Sequence, residues 1–217
     1  MLDEVSKIAI SEIDQMNFGI TQQILAVNEL VYENGHPKIE KVELDAQNKR
    51  AMVHFPIKDE CIFFTVFLET EPAIKVVWTN TTDGSRVIFR VTSDTMALNE
   101  ISSFIKIHPT RSWNIGDPHP NGKTNHTFSL FDFEPIPGLT GNIESKINTL
   151  LDLLEKDTEG IRKLSVLANS YIQIHWHGYN GNGMLGGFQL DQATITRLAN
   201  LQLAIDLDLY ADGNLLV

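Results

Sequence analysis

The chain has 217 residues, of which 42% are apolar and 21% charged, a balance that excludes a disordered or collagen-like polypeptide. Its formal net charge is −11, divided as 13 acids against 7 bases over residues 1–82 and 15 against 10 over residues 83–217. No basic block interrupts this acidity, which argues against nucleic acid as a partner, and no run of about 18 apolar residues marks a membrane span.

The opening MLDEVSKIAISEID has acids before any apolar run and does not read as a signal peptide. With a single cysteine, Cys61, this composition suits the cytoplasm. Cys61 heads the apolar run CIFFTVFL and reads as a buried hydrophobe.

Apolar residues at Val5, Ala9, Ile13, Met16, Ile20, Ile24, Val27 and Val31 form the stripe of a surface helix. Gly19 interrupts it, so a pair of helices with a break is an alternative. The Asn34–Pro37 stretch NGHP reads as the helix stop. KIEKVEL, RAMVHF, CIFFTVFL and AIKVVW then read as an antiparallel meander, with turns at Asp45 to Asn48 and Glu69 to Pro72. The polar TNTTDGS stretch, Thr79 to Ser85, is the expected boundary between a first domain (1–82) and a second (83–217).

In the second half RVIFRVT is a strand, and Asp94 is expected to cap a helix carrying Leu98, Ile101 and Ile105. HTFSLFDF follows as a strand, and Asn142 caps a helix with Ile143, Ile147, Leu150, Leu151 and Leu154 on one face. A further helix around Ile161 and Leu164 breaks from it near Gly160. YIQIHWH is a strand that GGFQL is expected to pair with, Asp191 caps a short helix, and AIDLDLY is the last strand. The pattern predicts an α+β fold: helix and meander, then a β-α-β-α-β-β-α-β sheet domain of ferredoxin-like flavour with helices on one face.

GNGMLG, Gly181 to Gly186, matches a dinucleotide-binding spacing, but GGFQL rather than a helix follows, so a loop is expected. Period-2 alternation puts Gln173, His175 and His177 opposite Ile172, Ile174 and Trp176, and Asp206 and Asp208 opposite Ile205, Leu207 and Leu209. Arg90 stands opposite Val87, Phe89 and Val91. If the apolar faces meet the helices, imidazoles, carboxylates and a guanidinium share the open face. His175, His177, Asp206 and Asp208 could then hold a transition metal such as zinc. A half-solvated antiparallel sheet alternates in the same way without chemistry. No nucleophile motif is present, and His36, His54, His108, His119 and His126 each have a reading without chemistry.

IHPTRSWNIGD, residues 107–117, holds a different set. Pro109 stops a helix, Trp113 is expected to plug the core, and Gly116 with Asp117 turns the chain. Arg111 could stack on an aromatic or fork onto Asp117. PTRSWNIGD, the helix with LLDLLE and the closing LQLAIDLDLY resemble a bacterial family catalogued as domain of unknown function 4279. The resemblance covers roughly residues 85–217 and rests on Pro109, Trp113, Gly116, Asp117, Asp206, Asp208 and Tyr210, with Phe128 standing where a tryptophan is expected. It implies a fold and a boundary but no reaction.

These readings point to a non-catalytic interaction protein with a protein partner of the immunity or regulatory kind and no cofactor. Its binding candidates are Arg90, Arg111, Trp113, Asp117 and Gln173. The alternative is a metal-binding protein or metal-dependent enzyme using the histidines and aspartates.

Overall fold

The apolar stripe at the N-terminus becomes helices α1 (Leu2–Gln15) and α2 (Gly19–Val27), with the break at Gly19, in a computed structural model that describes residues 1–183 and 185–216. Met16, at φ 49°, ends α1 in the left-handed region. The buried Glu12 carboxylate then fixes the turn: it accepts hydrogen bonds from the Phe18 N–H (3.1 Å) and the Thr21 hydroxyl (2.8 Å) at the start of α2. A carboxylate that receives donors left over at a helix N-terminus is the usual solution to that end's unsatisfied groups.

Asn34 and Gly35 do not stop the helix as expected. Helix α2 already ends at Val27, and Asn34 (φ 53°) and Gly35 (φ 82°) turn a small hairpin between β1 (Tyr32–Glu33) and β2 (His36–Pro37). Positive φ at both central residues is what a tight hairpin needs, and Asn-Gly supplies it with little strain.

The meander forms as read: β3 (Lys41–Asp45), β4 (Arg50–Pro56), β5 (Phe63–Glu69) and β6 (Lys75–Thr82) make a 4-stranded antiparallel sheet in chain order. Its inner face joins Val53, Phe55, Phe64, Val66 and Leu68 to Val5, Ala9, Ile13 and Ile24 of the helices. Strand β7 (Gly84–Ser93) begins directly after Asp83, so TNTTDGS holds the end of β6, a tight connection at Asp83 and the start of β7.

The remaining elements are α3 (Leu98–Phe104), β8 (Arg111–Trp113), β9 (Ser129–Phe133), α4 (Ile143–Leu154), α5 (Thr158–Leu167), β10 (Asn169–Tyr179), α6 (Gln192–Leu201) and β11 (Ala204–Asp212). Asn142 and Asp191 cap α4 and α6 as expected, accepting from the Ser145 N–H (2.8 Å) and the Thr194 N–H (2.7 Å). Asp94 does not cap α3. The side chain of Glu100 accepts from the Ala97 N–H instead (2.7 Å), and the Ser93 hydroxyl takes the Met96 N–H (3.0 Å). The break between α4 and α5 is a 3-10 turn at Glu155–Asp157, not Gly160, which lies inside α5 where a Cβ would stand 2.2 Å from the Phe104 carbonyl.

The 5-stranded sheet has the order β11-β10-β7-β9-β8, with β9 antiparallel to both β7 and β8. Two expectations change here. GGFQL forms no strand, and the proline-and-tryptophan corner supplies one, β8. With that exchange, β7-α3-β8-β9-α4/α5-β10 is a β-α-β-β-α-β unit whose strands lie in the order fourth, first, third, second. That is the ferredoxin-like arrangement, extended by α6 and β11. Helix α5 packs on α3, and α6 on both α4 and α5, so the helices form a layer.

The chain divides into two compact units: Met1–Ser85 with Trp176–Gly186 and Leu209–Val217, and Arg86–His175 with Gly187–Asp208. The first unit thus includes, besides the helix-and-meander region, pieces of the chain that sequence reading places in the second domain. Met184, within GNGMLG, lies outside the described residues, and the described part of that stretch is turn and coil, as expected of a loop.

His54, on β4, is buried, with Nδ1 2.9 Å from the Thr65 hydroxyl and no hydrogen bond to Nε2 among the described residues. Burial pushes its pKa down, opposed by Glu43, whose carboxylate at 3.9 Å is beyond hydrogen-bonding reach. The folded chain therefore resists a proton that the unfolded chain accepts near pH 6.5, so stability is retained above that pH and declines as pH falls through it. Thermal melts from pH 7.5 down to 5 should show a shallower loss of Tm in His54→Gln than in the wild type; parallel slopes would mean that His54 does not carry the effect.

Candidate functional site

Asp132 organises the open face of the 5-stranded sheet. It is 3% exposed, and it sits directly opposite Arg90 of β7 on one side and Arg111 of β8 on the other. Residues opposite one another across a ladder share a face, so a buried carboxylate has a guanidinium for each neighbour. Arg90 takes it bidentately, Nε to Oδ1 at 2.7 Å and Nη2 to Oδ2 at 2.8 Å. These hydrogen bonds hold the Arg90 pKa above its already high ordinary value, against the opposing effect of burial. A second pair joins Arg86 of β7 to Glu134, the residue that follows β9.

The row continues away from Asp132. Arg90 Nη1 lies 3.5 Å from Gln173 Oε1, and Gln173 Nε2 donates to Asp208 Oδ2 at 3.0 Å. His175 Nδ1 is 3.5 Å from the same Asp208 oxygen. Asp132, Arg90, Gln173 and Asp208 therefore form one connected row across β9, β7, β10 and β11, and Arg111 of β8 stands beside it, opposite Asp132 in register. Period-2 reading finds the members of this row on β7, β10 and β11. It misses Asp132, which is one acid in SLFDF until the register is known.

Arg111 is held differently. Its guanidinium carbon stands 4.8 Å from the centre of the Trp113 ring, and among the described residues no carboxylate pairs with it. Asp117, the expected partner, is committed elsewhere: its Oδ2 accepts the Asn114 N–H at 2.7 Å and closes the turn that Gly116 (φ 86°) permits. Trp113 is half-buried and does not plug the core. As part of an edge strand it lies against other rings, stacked on His126 (4.3 Å, 19°) and tilted to Phe128 (5.8 Å), while its Nε1 donates to the Phe128 carbonyl (3.0 Å). His119 lies 4.9 Å beyond His126. Lys106, His108, Arg111, His119, Lys123 and His126 fall in a stretch whose one acid is Asp117, a local reversal of the chain's charge.

A groove of about 620 Å³ is lined by Thr92, Phe128, Val166, Leu167, Asn169 and Tyr171, among others. Phe128 joins this groove to the Trp113 stack, and Thr92 and Tyr171 stand two residues along their strands from Arg90 and Gln173. Val166 and Leu167 are exposed, which gives the groove an apolar rim.

The metal-type residues form pairs. His175 meets Asp208, whereas His177 pairs through Nδ1 with Asp212 Oδ2 (2.9 Å), an acid beyond the DLDLY motif. Asp206 is exposed, and its backbone carbonyl lies 3.5 Å from the Gln173 amide. The apolar face of β11 is less covered than alternation suggested, since Leu207 is 41% and Leu209 60% exposed on this edge strand.

The fold and the polar sheet face together describe an α+β protein with no helix among the described residues long and apolar enough to cross a membrane. The chain belongs to the family described as domain of unknown function (DUF4279), whose model matches residues 81–212. Among curated proteins and among solved structures, nothing matches it.

Arg90 and Arg111 should separate cleanly in stability. Removing Arg90 leaves a buried carboxylate unpaired, at a cost of roughly 3 kcal/mol, whereas the exposed Arg111 should cost under about 0.5 kcal/mol. Urea unfolding of Arg90→Ala and Arg111→Ala measures both; equal losses would place Arg111 in the structural pair.

Proposed function

We propose that this protein is a non-catalytic binding protein that takes an acidic segment of a protein partner along the Arg111–Trp113 edge. The observation that carries this reading is Arg111, held over an indole without a carboxylate of its own while the neighbouring arginine occupies the buried acid. A guanidinium already stacked has lost part of its freedom and offers its donors to an incoming carboxylate.

Arginine and tryptophan are also the side chains that most often anchor protein interfaces. The groove beside Phe128 offers room for an apolar side chain next to the acid. Local basicity in an acidic chain favours an anionic partner at this edge and repels one elsewhere. The family description names no reaction, and no nucleophile with a base and an orienting partner lies along the row.

A random peptide library displayed against the full chain tests the reading. Enriched peptides should carry aspartate or glutamate beside an apolar residue, and a synthesised peptide should bind Arg111→Ala at least about tenfold more weakly, the scale of a lost charged hydrogen bond. Arg111→Lys should recover only part of that affinity. Peptides without acidic enrichment, equal binding by Arg111→Ala, or tighter binding of single-stranded oligonucleotides would each overturn it.

A further inference from the structure

We infer that Cys61, His177 and Asp212 form a three-ligand site for a zinc-type divalent metal. One ligand atom from each, the Cys61 sulfur, a His177 ring nitrogen and an Asp212 carboxylate oxygen, lies within 4.8 Å of the others. All three side chains are half-buried, which shields a bound ion while leaving it an entry path. Cys61 is therefore not the inert core residue its apolar flank suggests.

The cluster is built by elements distant in sequence. Cys61 precedes β5, His177 lies on β10, and Asp212 is the last residue of β11. Asp212 Oδ2 accepts both the Cys61 backbone N–H and the His177 Nδ1 contact, each at 2.9 Å. The His177 ring stacks on Tyr210 at 4.6 Å and 11°, which fixes its plane.

Behind Asp212 the backbone has no slack. Gly213 has φ 78°, and a Cβ there would stand 2.8 Å from the Tyr179 ring and 3.0 Å from Ile62. Asn214 then donates its N–H to Asn28 Oδ1 (3.0 Å) and its side-chain amide to the Val27 carbonyl (2.8 Å). These contacts hold the carboxylate where it is.

The donor set selects the ion. Thiolate and imidazole favour zinc and its neighbours over calcium or magnesium, and a thiolate with a carboxylate balances a charge of 2+. Tetrahedral ligands about 2.0–2.3 Å from zinc sit roughly 3.3–3.7 Å apart, so the pairs need close or open by only about 1 Å, within side-chain reach. Three protein ligands leave a fourth position for water or a further donor. The thiol must lose its proton on binding, and an imidazole nitrogen must be unprotonated. Cys61 lies outside the matched family span, 81–212, while His177 and Asp212 lie inside it, so the site joins both regions of the chain.

Full-length protein purified without an affinity tag should be stripped of metal and titrated with zinc against a chromogenic chelator, and separately with cobalt(II). The wild type should bind one equivalent of zinc, gain thermal stability, and show with cobalt the near-ultraviolet band of a thiolate ligand. Cys61→Ser, nearly isosteric and expected to fold, should lose that band and bind zinc at least about tenfold more weakly, since losing even an outer-shell partner of a metal site costs about 10–100-fold. His175→Ala should leave both readings unchanged. A wild type that binds no zinc, a cobalt complex without the thiolate band, or equal zinc affinity in Cys61→Ser would overturn the assignment.

Discussion

Asp132 is a buried acid between two arginines, and the open face of the 5-stranded sheet follows from which of them it pairs with. A desolvated carboxylate is costly unless it is paired and hydrogen-bonded, and a bidentate fork meets both needs with one guanidinium. Arg90 lies between two strands and can reach Gln173 as well, so pairing there satisfies more groups at once. Arg111 sits on the edge strand, where its charge can remain solvated while its plane lies on Trp113. Burial thus sorts two chemically identical residues into a structural role and an available one.

The same logic separates what the sequence could tell from what it could not. Side-chain alternation in YIQIHWH and RVIFRV is local, and it gave the correct faces for Gln173, His175 and Arg90. The caps at Asn142 and Asp191 are equally local, each an oxygen three residues before the amide it satisfies. Asp132 needed the register of β9 against β7 and β8, which no short stretch encodes. The partner of His177 needed strand order too, because Asp206, Asp208 and Asp212 all share the right parity on β11 and only pairing chooses among them.

Strand β8 is illegible in the sequence for a physical reason. Pro109 and Gly116 bracket only three residues with strand geometry, too few for an alternation signal. Strand β8 exists because β9 offers it a ladder, and Thr110 confirms the docking with its N–H on the Asp132 carbonyl at 2.8 Å. Conversely GGFQL has strand-like composition and forms no ladder, and the Gln189 N–H is taken by the Glu144 carboxylate at 3.0 Å. Tertiary pairing overrode propensity in both places.

The closing strand bears on how the family's span should be understood. The match runs from 81 to 212, yet Trp176–Gly186 and Leu209–Val217 belong to the same compact unit as the N-terminal helices and meander. Tyr179 makes this concrete: it is 1% exposed, it receives a hydrogen bond from Asn28 (3.2 Å), and it belongs to the cluster containing Phe55 and Phe64. A large ring in that position requires residues that the matched span does not contain. Severing the chain near residue 82 would therefore expose Tyr179 and strand Asp212 without the Cys61 N–H it accepts. In this protein the helix-and-meander region completes a core to which the family segment contributes the buried Tyr179 ring.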